Sequence, residues 1–291
     1  MSKKYKVIST INIEPRYRRA LRDIADYHQI IDNHKELLEQ LPQANALITD
    51  NSFKIDEPVL RAALENHDNL GHIALTENAA NNVDLELIEI NKVELSTVDV
   101  YAEAAAEFTL GLILSLSWDL NNAGSQSPTG GVQGKTLGII GYGKVGQALA
   151  KSAEALGMKV IFSKKKAVAN DAYRTIKQLL VQADILSFHL PKSEQKPIIN
   201  QKNIKLLRPG CLLINTGELW PFDQNALIDG LNEKIIGRIA IDAELNNSDL
   251  ESNEQVLITN NRAGMCEKTR NKAKVQACEN VQSFLNRQSA G

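Results

Sequence analysis

The chain has 291 residues, room for two domains of ordinary size, and its 43% hydrophobic and 23% charged residues sit close to the globular average. A formal net charge of −2 lacks the basic excess of a nucleic-acid binder. Three widely spaced cysteines, Cys211, Cys266 and Cys278, form no CxxC, so neither a zinc site nor a disulfide framework is suggested, and reduced thiols in a cytoplasmic protein are expected.

The N-terminal "MSKKYKVIST" carries basic residues without an apolar stretch after them, so no signal peptide is expected. Strand 5–10 follows, then helix 14–27 with Pro15 in its first turn, strand 45–50 and helix 56–67. Strands 71–77 and 92–97 continue the βαβα order that predicts a parallel sheet covered by helices. A long helix is expected from about Val100 to Trp118, after a plausible N-cap at Asp99. Its run "FTLGLILSLSW" (108–118) is shorter than the roughly 18 apolar residues of a membrane span.

The Gly-, Ser- and Asn-rich "NNAGSQSPTGGVQGK" (121–135) reads as a linker or surface loop. A second alternation starts beyond it: strand 136–140, helix 144–156, strand 158–163, helix 171–181 and strand 184–188. It runs on through strand 211–215, helix 223–231 and strands 236–241 and 256–259. The chain ends in a helix whose apolar Ala273, Ala277, Val281 and Leu285 recur every four positions.

The strongest signal is "TLGIIGYGKVGQALAKSAEALGMKVIFS" (136–163), in which Gly141, Gly143 and Gly146 form GxGxxG between a β-branched strand and a helix. Gly141 allows a tight turn, Gly143 lets the backbone approach a pyrophosphate, and Gly146 lets the helix pack closely on the strand. The helix N-terminus, opened by Lys144 and Val145, presents amide groups and partial positive charge to phosphates. Chains that bind NAD place an acid about 20 residues on, for the ribose hydroxyls. Here "VIFSKKKA" puts Ser163, Lys164, Lys165 and Lys166 at that strand end. Ammonium groups attract a 2′-phosphate that a carboxylate would repel, so NADP(H) is favoured over NAD(H). Read blandly, the lysines are a solvated turn.

With that loop in place, the chain resembles the D-isomer-specific 2-hydroxyacid dehydrogenases over nearly its whole length. "AAAEFTLGLIL" (104–114) looks like the family's interdomain helix, and "VQGKTLGIIGYGKVG" (132–146) is similar to its cofactor signature. "ADILSFHLPKS" (183–193), "LLRPGCLLINT" (206–216) and "IIGRIAIDA" (235–243) match further blocks in family order. The resemblance implies an α/β protein of two Rossmann-like domains with parallel sheets. One is a flavodoxin-like substrate or catalytic-type domain (1–98 plus 265–291), and the other a doubly wound NAD(P)-binding domain (99–264). It also implies hydride transfer between a nicotinamide and the C2 of a small 2-oxo or 2-hydroxy acid. An arginine holds the substrate carboxylate, a histidine exchanges the proton and a glutamate tunes that histidine. The cofactor site maps onto Gly141, Tyr142, Gly143, Lys144, Val145, Gly146, Ser163, Lys164, Lys165, Leu190, Pro191, Thr216 and Asp242.

All three catalytic positions have changed. "NTGELW" puts Glu218 where the arginine belongs; counting on from Asp242 puts Asn247 at the glutamate; "TNN" puts Asn261 at the histidine. No histidine follows His189, so no shift of alignment restores one. Arg262 adjoins Asn261, but a strand-end neighbour normally faces elsewhere. The loop that cradles the substrate carboxylate reads "NAANN" (78–82), with Asn78 first and Ala79 in place of a glycine. Leu219 and Trp220 replace two glycines, which predicts a narrower pocket. Segment 117–135 is shorter than the family's dimer arm, so a homodimer is left open. His189 reads as a cleft-lining group and Cys266 as a buried small hydrophobe.

Three functions remain in play. The first is an NADP-dependent reductase of a cationic substrate, an imine or an amine-bearing carbonyl, with Glu218, Tyr101 or a water as proton donor. The second is a cofactor-binding protein without turnover, a pseudoenzyme or sensor; it requires Leu219, Trp220 and Phe222 to fill the substrate pocket. The third is a 2-hydroxyacid dehydrogenase with displaced catalytic residues.

Overall fold

A computed structural model describes residues 5–31, 33–64, 70–80, 82–120, 130–191, 193, 195–264 and 266–290. The chain forms two compact units, Met1–Tyr101 with Glu267–Gly291, and Ala102–Cys266.

The first unit holds a parallel sheet of β1 (Tyr5–Ser9), β2 (Ala25–Gln29), β3 (Ala46–Thr49), β4 (His72–Leu75) and β5 (Glu94–Ser96) in the order β2-β1-β3-β4-β5. This is the flavodoxin-like order. Every residue of β3 and β4 is buried, because helices cover both sheet faces; hence their unbroken apolar runs. Strand alternation sends Val7 and Ile48 toward α1 (Pro15–Ile24) and α10 (Glu267–Ala290). Ile8 and Leu47 go to the other face, against α2 (His34–Gln40), α3 (Glu57–Leu64) and α4 (Leu85–Ile90). The recurrent Ala273, Ala277, Val281 and Leu285 are the buried stripe of α10.

The expected helix 14–27 stops at Ile24, and Ala25 turns extended (φ −146°, ψ 162°) to start β2. Ala25 and Tyr27 face inward while Asp26 and His28 face out, a two-residue period hidden directly behind a helical one. The short helices α2 and α4, capped by Asn33 and Asp84, are also additions to the sequence reading.

The second unit opens with α5 (Ala102–Trp118), which starts two residues later than expected. Of the expected linker 121–135, residues 121–129 lie outside the described residues. The parallel sheet that follows comprises β6 (Thr136–Ile140), β7 (Lys159–Ser163), β8 (Ile185–Phe188), β9 (Cys211–Asn215), β10 (Ile236–Ile241) and β11 (Val256–Ile258). Its order is β11-β10-β9-β8-β6-β7, so the winding reverses between β6 and β8. Helices α5 and α6 (Lys144–Ala155) pack on one face; α7 (Ile176–Gln182) and α8 (Gln224–Asn232) pack on the other. Helix α7 begins five residues later than the expected 171, because Thr175 and Gln178 form a capping box there. Residues 172–174 instead run beside β7, with Phe162 donating to the Ala172 carbonyl (3.0 Å) and Arg174 to that of Phe162 (2.8 Å). Cys266 is exposed rather than buried, since it lies in the connection to α10 and not in a core.

Candidate functional site: the carboxyl edge of the second sheet

Open parallel sheets bind ligands outside the carboxyl ends of their strands, where the strand order reverses. In the second unit that point is the β6–β8 junction, and the glycine loop occupies it. Gly141 has φ +97°, and a Cβ there would lie 2.2 Å from the His189 carbonyl oxygen, so the β6 turn is pressed against the end of β8. A Cβ on Gly146 would lie 2.7 Å from the Gly141 carbonyl, which keeps α6 tight on the turn. Gly143 differs: a Cβ there meets no protein atom within 4 Å. The fold does not require a glycine at 143, whereas a ligand lying on that face would. Gly143 is also the N-cap of α6, with no side chain capping the helix. A backbone open on its ligand side and an uncapped helix N-terminus fit a dinucleotide pyrophosphate.

Between the glycines, Tyr142 stacks on Phe162 (centroids 3.8 Å apart, planes at 12°), and Phe162 meets Tyr173 edge-on at 6.2 Å. The stack and the hydrogen bond from Gly141 to the Ser163 carbonyl (3.0 Å) tie the loop to the end of β7. Val145 packs into the core behind it. Ser163 is only 6% exposed, whereas Lys164, Lys165 and Lys166 are all exposed, so a ligand at this strand end meets ammonium groups first. Arg174 is engaged internally, with the carbonyls of Asp171 and Tyr173 and with Gln182.

On the other side of the switch point, His189 pairs its Nε2 with Ser187 Oγ at 2.8 Å, and burial pushes its pKa down to about 4. It is neutral at physiological pH and abuts the glycine turn. Leu190 packs on the core below, and the Pro191 carbonyl accepts from Trp220 Nε1 at 2.9 Å. At the end of β9 the buried Asn215 shapes the next turn, accepting from Gly217 N (3.1 Å) and donating to the Glu218 carbonyl (3.0 Å). The Thr216 hydroxyl donates to Thr109 of α5 at 3.1 Å, because Thr109 gives its own proton to the Ala105 carbonyl. Glu218 is exposed on this clamped turn. Of the bulky residues after it, Phe222 belongs to the core, edge-on to Phe188 at 4.7 Å, and Leu219 packs against the same cluster. Trp220 is half-buried and held by Pro191.

At the end of β10, Asp242 is 4% exposed and accepts three hydrogen bonds: from Thr259 Oγ1 (2.6 Å), Arg262 N (2.6 Å) and Ala263 N (2.7 Å). They hold a turn in which Asn260 and Asn261 both have positive φ, 49° and 58°. Asn261 is exposed there. Asn247 is taken up elsewhere: its Oδ1 caps the short helix α9 (Ser248–Glu251) by accepting from Asp249 N and Leu250 N.

The remaining candidates sit at the carboxyl edge of the first sheet. Tyr101 precedes α5, donates its hydroxyl to the Thr76 carbonyl at 2.6 Å, and is pushed up to about 12 by burial and then by Glu77. The Glu77 carboxyl is itself raised, by burial first and by Asp50 second. Asn78 is exposed and Ala79 half-buried; Asn81 of the "NAANN" loop lies outside the described residues. Asn82 donates to the carbonyls of Asp50 and Phe53. The clamps formed by Asn215, Thr109 and Asp242 went unforeseen. The signal for two of them was a polar residue closing an otherwise apolar strand, "LLIN" and "IAID".

Residues 114–263, just over half of the chain, match the family described as D-isomer specific 2-hydroxyacid dehydrogenase, NAD binding domain. A glyoxylate reductase of Aeropyrum pernix is 30% identical over 281 residues, covering 86% of this chain and 83% of the relative. A glyoxylate reductase of Thermococcus litoralis is 31% identical over 231 residues, covering 71% of this chain and 69% of the relative. Among solved structures, a Thermus thermophilus protein is 25% identical with a TM-score of 0.81, each chain covered to 97%. An acyclic imino acid reductase in complex with NADPH and D-arginine shares the fold at a TM-score of 0.81 and 22% identity, again with 97% of each chain covered. The chain belongs to the D-isomer specific 2-hydroxyacid dehydrogenases, oxidoreductases built on an NAD-binding domain.

Proposed function

We propose that the protein is an NADP(H)-dependent reductase of a cationic substrate, an imine or an amine-bearing carbonyl compound. The observation that carries this reading is Glu218, an exposed carboxylate on a turn whose backbone is fixed by Asn215. A carboxylate there repels a 2-oxo acid and favours a cation, and it holds a bound imine protonated at neutral pH. The reduced nicotinamide supplies the hydride. A ketone needs a proton delivered to its oxygen as it is reduced. An iminium already carries its charge, and its nitrogen keeps the electron pair released from the C=N bond. Such a substrate needs no acid at position 261, where this chain has an amide in place of the family's imidazole. The fold is compatible with imine chemistry, since it is also that of the imino acid reductase above. The exposed Lys164 and Lys165 support the preference for a 2′-phosphate.

The test is a fluorescence titration with NADPH and NADH, followed by absorbance at 340 nm with 2-oxo acids and with cyclic imines. Tighter binding of NADPH, with consumption only in the presence of an imine, is expected. Reduction of pyruvate or glyoxylate alone refutes the substrate assignment. The double variant Lys164→Asp, Lys165→Ala loses about 10- to 100-fold in NADPH affinity, the scale of one charge-assisted contact, and far less in NADH affinity. Equal losses refute the cofactor assignment. A second reading, cofactor binding without turnover, is favoured by one observation: Asn247 is committed to a helix cap. It predicts tight NADPH binding with no reduction of any compound in the panel.

A further inference from the structure

We infer that Arg262 binds the carboxylate of the substrate, so that the compound taken by this edge is a 2-imino acid, cationic at nitrogen and anionic at its carboxyl group. This deepens the function proposed above and rests on it for the role of Glu218.

The nicotinamide half of a dinucleotide extends away from the strand that carries the adenosine ribose. With Lys164 and Lys165 at the end of β7, that direction is toward β8, β9 and β10. Along it, the described residues 189–191, 215–220, 242–247 and 259–264 carry the charged groups Glu218, Asp242, Glu244 and Arg262. Arg262 is the one cation among these residues. Asp242 is consumed by its three internal hydrogen bonds.

The turn explains how Arg262 can serve. Strand β11 ends at Ile258, and two successive residues of positive φ follow, so strand alternation no longer dictates where residue 262 faces. Its backbone N–H is fixed on Asp242, while its side chain is exposed and makes no hydrogen bond or ion pair with the described residues. Asp242 is thus a positioning residue: it anchors the backbone and leaves the guanidinium available. Register places Asn215 beside Ile241, and Ile241 beside Ile258. At about 4.8 Å between neighbouring strands, the turns that bear Glu218 and Arg262 start on the order of 10 Å apart. Two long side chains can close that gap on a small molecule. The planar guanidinium fork matches a carboxylate in two parallel hydrogen bonds.

Pyrrole-2-carboxylate, a planar acid with an N–H, and its neutral carboxamide are the probes, titrated calorimetrically into the protein with and without saturating NADPH. The acid is expected to bind more tightly than the amide. Arg262→Leu should weaken the acid about 10- to 100-fold and Arg262→Lys by less, with the amide indifferent to both. The melting temperature should stay unchanged, because the side chain is exposed. If Arg262→Leu binds the acid as tightly as the parent protein, or if the parent fails to bind it or to prefer it to the amide, the inference is overturned. Glu218→Gln separates the two readings. If it leaves the acid's affinity unaltered while Arg262→Leu still weakens the acid about 10- to 100-fold, the Glu218 assignment fails and that of Arg262 stands.

Discussion

Substituting alanine for single loop glycines separates what the fold needs from what a ligand needs. At Gly141 the backbone has φ +97° and a Cβ would come within 2.2 Å of the His189 carbonyl oxygen, an atom of the neighbouring strand end that cannot rotate away. Left-handed strain for an alanine costs about 1–2 kcal/mol, and relieving the overlap by moving backbone adds about as much again. Gly141→Ala should therefore lose about 2–4 kcal/mol, which for a unit of this size lowers the melting temperature by about 5–15 °C. At Gly143 nothing stands within 4 Å of the added Cβ. Losing a glycine at an N-cap costs about 0.5–1 kcal/mol, and restricting the unfolded chain returns about 0.4–1 kcal/mol. Gly143→Ala should thus melt within about 2 °C of the parent. Its methyl group stands where the pyrophosphate must approach, so NADPH affinity should fall at least about tenfold, or 1.4 kcal/mol. Differential scanning fluorimetry and NADPH fluorescence read the two quantities on the same samples. A Gly143→Ala protein that binds NADPH as the parent does would refute the placement of the pyrophosphate. One that melts as low as Gly141→Ala would refute the geometry of the loop.

Acid should destabilise the protein through two histidines. Folding lowers His72 and His189 from the usual 6.5 to about 4, chiefly by burial. Their share of stability is complete above pH 6.5 and is lost as the pH falls toward 4, because the unfolded chain takes up the protons first. Each is worth at most about 3 kcal/mol, and urea melts at pH 7.5 and 5 should show His72→Gln flattening that slope; an unchanged slope excludes His72. Asp242→Ala should cost about 2–4 kcal/mol by orphaning buried donors, with faster hydrogen exchange at Arg262 and Ala263; unchanged exchange there would show that the turn holds without the carboxylate. Asn247→Ala removes a helix cap worth about 1 kcal/mol and should leave NADPH affinity unaltered, whereas a binding loss would return Asn247 to the site.

How much could be read beforehand follows from which forces act locally. The second unit was legible because β8 and β9 are buried throughout and β6 is buried in all but its first residue, and such burial writes unbroken apolar runs such as "CLLIN" into the sequence. The glycine loop was legible because two of its glycines answer to clashes only a few residues away or at the adjacent strand end. Strand β2 was not, because Ala25–Gln29 follows α1 without a glycine or proline to mark the change. What makes it a strand is the parallel pairing of Tyr5 with Ala25 through Ser9 with Gln29, a partnership the local pattern does not announce. The start of α7 was misplaced for a related reason. Residues 172–174 have ordinary helical composition but take their hydrogen bonds from Phe162, ten residues away in sequence. The expectation that Glu218, Asn247 and Asn261 stand at the family's catalytic positions came from counting along the sequence. That Asn247 caps a helix and Asp242 anchors a turn could not be counted in this way, since each depends on which backbone amides fold back within reach.

That distinction bears on how this edge could change its chemistry without losing its shape. The turn after β9 is held through backbone atoms of residues 217 and 218, by the buried Asn215 and, one residue earlier, by the Thr216–Thr109 pair. The turn after β11 is held in the same way, through the amides of residues 262 and 263. In both, the side chains of Glu218, Asn261 and Arg262 project from a backbone whose hydrogen bonds do not involve them. Exchanging an exposed side chain on such a turn costs little stability, typically within about 0.5 kcal/mol, yet reverses the charge offered to a substrate. On the function proposed above, a carboxylate at 218 would invert the polarity that a 2-oxo acid requires, and a cation at 262 would restore a carboxylate anchor. Glycines 141 and 146 are fixed by close contacts, and Asn215 and Asp242 by hydrogen bonds; the exposed side chains of residues 218, 261 and 262 are bound by neither, so they are the positions at which the proposed change of substrate costs the fold least.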